Sequence, residues 1–131
     1  MMKKLVLSIV LVVLSVGFVA AQTKQADIKF KNTTFDFGKF SEDNPIVSCD
    51  FVFTNTGDAP LIIHQAIASC GCTVPQYPKQ PIMPGKSAVV KITYNGTGRV
   101  LGAIHKSVTI RTNGKTEIIR LYIEGEMTPK K

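Results

Sequence analysis

Val47-Ser48-Cys49-Asp50-Phe51-Val52-Phe53-Thr54 runs directly into Asn55-Thr56-Gly57-Asp58-Ala59-Pro60. In the first segment Val47, Cys49, Phe51 and Phe53 alternate with Ser48, Asp50, Val52 and Thr54. Successive side chains of a strand point to opposite faces, so this spacing predicts a strand with one face buried and one in water. The second segment ends that strand. Asparagine and aspartate bond back to their own backbone, glycine tolerates unusual φ, and proline presets its own.

The same pattern recurs on both sides. Phe35 and Phe37 flank Asp36 ahead of Gly38, and residues 61–68 form a more fully apolar run. Pro84-Gly85 marks a turn, after which Ala88, Val90, Ile92 and Tyr94 alternate with Val89, Lys91 and Thr93. Asn95-Gly96-Thr97-Gly98 interrupts, residues 104–112 resume the pattern, Asn113-Gly114 is a hairpin signal, and residues 118–124 form a last strand. No stretch after residue 21 carries a helical period. One sheet could not cover Phe51, Phe53, Ile63, Val90, Ile92, Val108, Ile110, Leu121 and Ile123, whereas two facing sheets can. The fold class is therefore all-β, an immunoglobulin-like antiparallel β-sandwich of about seven strands. The chain lacks tryptophan, which excludes the antibody type with its buried Trp against a disulfide.

Lys3 and Lys4 precede an apolar run over residues 5–21 that closes on Val19-Ala20-Ala21. A basic head, an apolar middle and a small-residue cleavage site read as a secretory signal peptide, residues 1–21, with Gln22 as the mature N-terminus. The domain is then 22–131, and removing 21 of the 131 residues leaves 110, the size of one small domain. The expected location is exported, periplasmic or secreted, with membrane contact only through the uncleaved leader. Of 16 basic residues two leave with the leader, so 14 face 9 acidic ones and the mature net charge is +5. The basic residues are scattered and form no stripe, which argues against nucleic acid and for a solvated surface.

Chemistry concentrates in Ser69-Cys70-Gly71-Cys72-Thr73. In an extended segment the side chains of Cys70 and Cys72 lie on one side about 6.6 Å apart, and Gly71 lets the chain tighten. Three chemistries are open to them in an exported protein. One is a disulfide, across Gly71 or from either residue to Cys49. The second is thiol redox exchange. The third is a soft-metal site, with Cu(I) suited to two thiolates and zinc needing more ligands, for which Cys49, His64 and His105 are the available additions. No other cofactor is implied. Prolines 75, 78, 81 and 84 recur every third residue, the period of a polyproline II helix. They read as a stiff connection from one sheet to the other, with Tyr77, Pro78 and Pro81 as a candidate partner surface.

Enzymatic signals are absent. There are two histidines, no Gly-x-Ser-x-Gly elbow and no glycine-rich phosphate loop. Asp36, Asp50, Glu124 and Glu126 alternate with core positions, as outward strand residues do.

Several stretches together carry a resemblance. They are Phe35-Asp36-Phe37-Gly38, Phe51-Val52-Phe53-Thr54-Asn55-Thr56-Gly57, Pro60-Leu61-Ile62-Ile63 and Ser69-Cys70-Gly71-Cys72-Thr73, then Pro81-Ile82-Met83-Pro84-Gly85, Tyr94-Asn95 with Gly98, and Ile123-Glu124-Gly125-Glu126. The chain resembles the bacterial domain of unknown function 1573 family, exported proteins common in Bacteroidetes and similar to Hydin, sperm-protein and pilus-chaperone sandwich modules. The resemblance implies a fold and an exported location, and no activity. The expected function is a non-catalytic exported module, a protein-protein interaction or structural domain whose partner is another exported protein. The competing reading is soft-metal binding or thiol redox at Cys70 and Cys72.

Overall fold

In the computed structural model, which describes residues 23–130, the chain forms eight strands. They are β1 (Ile28–Phe30), β2 (Thr34–Ser41), β3 (Ile46–Asn55), β4 (Ile63–Ala68), β5 (Thr73–Gln76), β6 (Ser87–Asn95), β7 (Gly102–Thr112) and β8 (Ile118–Thr128). The expected leader, residues 1–21, lies outside the described residues. One sheet has the order β1-β3-β6-β5 and the other β2-β8-β7-β4. The all-β sandwich expected from the alternation is what forms. All nine apolar residues assigned to its interior are buried, from Phe53, Val90, Ile92, Ile110 and Leu121 at 0% exposure to Ile63 at 5%.

The strand count and one direction differ from expectation. β1 and β5 add to the strands read from the sequence, and β2 pairs with β8 in parallel, so the second sheet is mixed. An alternating stretch specifies a face but not the direction of its neighbour. Residues 61–68 also divide: Leu61 makes an isolated bridge to Ile82, and only Ile63–Ala68 forms a strand.

The proline row is not a crossing between sheets. Pro75 lies within β5, opposite Ile92 of the same sheet, and residues 77–86 return the chain to β6 beside it. An edge strand tolerates proline because the missing N–H is one that no neighbour needs. The crossing is made instead by residues 69–72, between β4 at the edge of one sheet and β5 at the edge of the other.

Two of the stretches that carry the family resemblance knit together around Asn55, which is 1% exposed. Its Nδ2 donates to the carbonyls of Ala59 at 2.8 Å and Ile82 at 2.9 Å, and its Oδ1 accepts from the Gly57 N–H at 2.9 Å. Its backbone N–H donates to the Lys86 carbonyl and its carbonyl accepts from Gly85 N–H, each at 2.9 Å. Gly57 lies under the N-terminal segment, where a Cβ would overlap the backbone of Gln25 and Ala26. A second pair of stretches meets at the β2–β8 junction. Gly38, at φ 69°, allows the irregularity between Asp36 and Lys39, and a Cβ on Gly125 would lie 3.1 Å from the Gly38 carbonyl oxygen. Both clusters serve the scaffold. Ser69-Cys70-Gly71-Cys72-Thr73 belongs to neither.

Candidate functional site

The crossover is anchored by backbone on both sides. Ser69 N–H donates to the Ser107 carbonyl at 2.9 Å, while the Ser107 N–H donates to Ser69 Oγ at 3.1 Å. On the far side the Thr73 N–H donates to the Cys70 carbonyl at 3.1 Å, closing a turn, and Asn95 N–H donates to the Cys72 carbonyl at 2.8 Å. Within this frame Cys70 and Cys72 are joined by a disulfide, their Cα atoms 5.1 Å apart. The two sulfurs sit differently. Cys72 is 2% exposed and belongs to the core, whereas Cys70 is half-buried. The Cys72 N–H donates to Cys70 Sγ at 3.1 Å, and the Thr73 hydroxyl lies 3.5 Å from Cys72 Sγ.

The other residues weighed from the sequence are not gathered here. Cys49 is a free thiol buried on β3, where burial and then the charge of Asp50 push its pKa up to about 11. That holds it as a neutral, unreactive thiol. His64 lies on β4, and His105 on β7 pairs through Nδ1 with Glu124 Oε1 at 3.2 Å. Among the described residues no three His, Cys, Asp or Glu side chains group as metal ligands. Asp36 and Glu124 are register partners on β2 and β8 and line an open depression of about 420 Å³ with Glu126, while Asp50 lies on the other sheet. Tyr77 is half-buried against the core with Lys79 Nζ 3.3 Å from its ring centroid. Pro78 is half-buried too, and of the three residues offered as a partner surface only Pro81 is exposed.

One feature of the site was not read from the sequence. Ile46 opens β3 opposite Asn95, the last residue of β6, and residues 96–101 loop from there to β7. Gly96 N–H donates to the Pro45 carbonyl at 2.9 Å, so the β2–β3 turn and the β6–β7 loop touch. The Asn95 to Cys72 hydrogen bond puts the disulfide at this same end of the sandwich. Here Val100 is 90% exposed, Ile46 58%, Val74 52% and Leu101 40%. Single exposed apolar residues are ordinary, but four lie on the segments that make up this one end, with Val100 almost wholly in water. The signal was present as Val100-Leu101, an apolar pair between Gly98 and Gly102 in a segment that turn chemistry alone would make polar.

Residues 28–127 match the family described as "Protein of unknown function (DUF1573)". No curated protein matches the chain. Among solved structures, a protein of unknown function from Porphyromonas gingivalis W83 aligns with a TM-score of 0.68 at 20% identity, over 83% of this chain and 50% of that one. The chain thus spans about half the length of that relative. A PapD-like domain of human CEP192 aligns with a TM-score of 0.64 at 12% identity, over 87% and 95% of the two chains. The E. coli chaperone DraB aligns with a TM-score of 0.55 at 11% identity, over 79% of this chain and 56% of that one. At these identities the likeness is one of fold.

Proposed function

We propose that this chain, which belongs to the DUF1573 family of proteins of unknown function, is an exported, non-catalytic module. It docks another exported protein on the end of the sandwich formed by the β2–β3 turn, the β6–β7 loop and the Cys70–Cys72 crossover. The observation that carries this reading is the 90% exposure of Val100, next to Leu101 on a loop that Gly96 ties to Pro45, the residue before the exposed Ile46. An apolar side chain held on a loop whose neighbours are anchored gains by leaving water against a partner, at about 25 cal/mol per Å² buried. Arg99 and Lys106 line a surface depression with Val100 and favour a partner with an apolar centre and an acidic rim. The periplasmic chaperones among structures of this fold support a protein-binding role. The basic and apolar leader with its Val19-Ala20-Ala21 site supports export.

A photo-crosslinking residue at Val100, expressed in the source cells, is expected to give a discrete adduct in the exported fraction. The same residue at Ile118, 49% exposed on β8 at the opposite end, is the control. Equal labelling from both positions, or none from Val100, overturns the docking assignment. The mass of the exported chain is expected to begin at Gln22, and retention of residues 1–21 would overturn cleavage.

A further inference from the structure

The docking end leaves one chemical feature unused, the bond between Cys70 and Cys72. Disulfides of small exported domains ordinarily close long loops and stabilise by restricting the unfolded chain. This one spans a single residue, so that restriction is small. Nor does the bond hold the crossover together. Ser69 is tied to Ser107, Thr73 to Cys70 and Cys72 to Asn95 by hydrogen bonds that do not pass through sulfur. The bond can therefore open without releasing either edge strand.

The two sulfurs are also graded for attack. Thiol–disulfide exchange needs a nucleophile in line with one sulfur and a leaving thiolate on the other. Cys70, partly buried against the core, is the more exposed of the two residues and the one an incoming thiolate can reach, whereas Cys72 at 2% exposure is shielded by the core. As the bond breaks, the Thr73 hydroxyl 3.5 Å from Cys72 Sγ can hydrogen-bond the charge that develops there. Cys49 stays outside the exchange because it is buried in the strand interior as a neutral thiol.

We infer that Cys70–Cys72 is an exchangeable disulfide, attacked at Cys70 by an exogenous thiolate and leaving through Cys72 beside Thr73. In the first step the thiolate sulfur bonds to Cys70 Sγ, the Cys70–Cys72 bond breaks, and its electron pair goes to Cys72 Sγ, which takes a proton from water. In the second, another thiolate attacks the incoming sulfur and Cys70 departs as the second thiolate. Two thiols become one disulfide while the Cys70–Cys72 pair is reduced by two electrons. The co-reactant is a low-molecular-weight thiol or a protein dithiol, and the chemistry is the same for both. This inference does not rest on the docking reading, since a small thiol needs no docking partner.

The test uses the mature protein with glutathione as probe. Cys72→Ser treated with glutathione disulfide is expected to form a mixed disulfide at Cys70. Cys70→Ser is expected to react at Cys72 slower by on the order of tenfold or more, as burial dictates. Wild type titrated with reduced glutathione, quenched in acid and thiol-counted by mass, is expected to open the pair with its circular dichroism unchanged. If either variant fails to fold, alkylation of the reduced wild type under native conditions gives the same ordering, Cys70 before Cys72. Equal reactivity at the two positions, or a pair that yields only when the protein is denatured, overturns the inference. A reduced protein dithiol run in parallel separates the sources: faster opening by it marks a protein co-reactant, and faster opening by glutathione a small thiol. Opening by neither also overturns the inference.

Discussion

Replacing Asn55 by alanine removes three good hydrogen bonds at once: those to the Ala59 and Ile82 carbonyls and that from the Gly57 N–H. A fourth contact, from the Asp27 N–H at 3.4 Å, is too long to weigh heavily. The partners are not equally stranded. The Ile82 carbonyl keeps the Leu61 N–H at 2.8 Å, while the Ala59 carbonyl and Gly57 N–H lose their side-chain partner. At about 1 kcal/mol per bond, with a small cavity added at a 1% exposed position, Asn55→Ala is expected to lower stability by about 3–4 kcal/mol. With a urea slope of about 1.5 kcal/mol per M, the unfolding midpoint falls by roughly 2 M. Asn113→Ala is the matched control. That side chain also makes two bonds, from the Ile62 N–H at 2.7 Å and to the Pro60 carbonyl at 3.1 Å, but it is exposed and water can replace them. Its loss is expected to stay below about 1 kcal/mol. Equal midpoint shifts for the two variants, measured by circular dichroism, would refute the claim that buried polar satisfaction, not turn propensity, is what Asn55 supplies.

Phe53→Ala removes a side chain at 0% exposure whose ring lies tilted against Phe30 with centroids 5.4 Å apart, and a loss of about 3–5 kcal/mol is expected in the same assay. A loss below about 1 kcal/mol would show that the core closes over the gap. Asp27 is held below the usual carboxylate range, first by hydrogen bonding to Thr116 and against the opposing effect of burial, with the Ile28 N–H at 2.9 Å also donating to it. Because its folded pKa lies below its unfolded value, its contribution is full above the unfolded pKa and is lost as pH falls through that value toward the folded pKa. Urea midpoints taken from pH 7 to pH 3 should therefore fall less steeply in Asp27→Asn than in wild type, and parallel curves would exclude the assignment.

Period-two alternation was enough to place nine core residues correctly, because facing sheets leave each strand only one choice of inward face, while buried residues outside the alternating runs, such as Ile28, Ile82 and Met127, were not assigned. What alternation cannot carry is direction and neighbour. The parallel pairing of β2 with β8 depends on Glu124 and Glu126 lying beside Asp36 and Lys39, contacts between opposite ends of the chain. β1 is three residues and β5 four, with Pro75 inside it, too short for a period to show. The proline row imitated a polyproline helix, yet Pro75 sits in a strand, Ile82 bridges to Leu61 and Pro84-Gly85 turns, with Gly85 at φ 78°. At the site the pairing of three cysteines was undetermined until the sheets were assembled. Cys49 then lies on β3, two strands from the β5 edge that Cys72 leads into. Hydroxyl placement at Thr73 and the exposure of Val100 depend on the same assembly.

The parallel junction of β2 with β8 has a kinetic consequence. It joins Thr34 to Tyr122 and Ser41 to Thr128, so an early strand finds its partner only when the final one is available. A long loop must close before that pairing returns any free energy, which raises contact order and slows folding. Chains are synthesised from the N-terminus, so Phe35 and Phe37 emerge long before the strand that covers their edge. During that interval β2 is an unpaired aromatic edge, the kind of segment that associates with its own copies. Fragments ending before residue 122 would never leave that state.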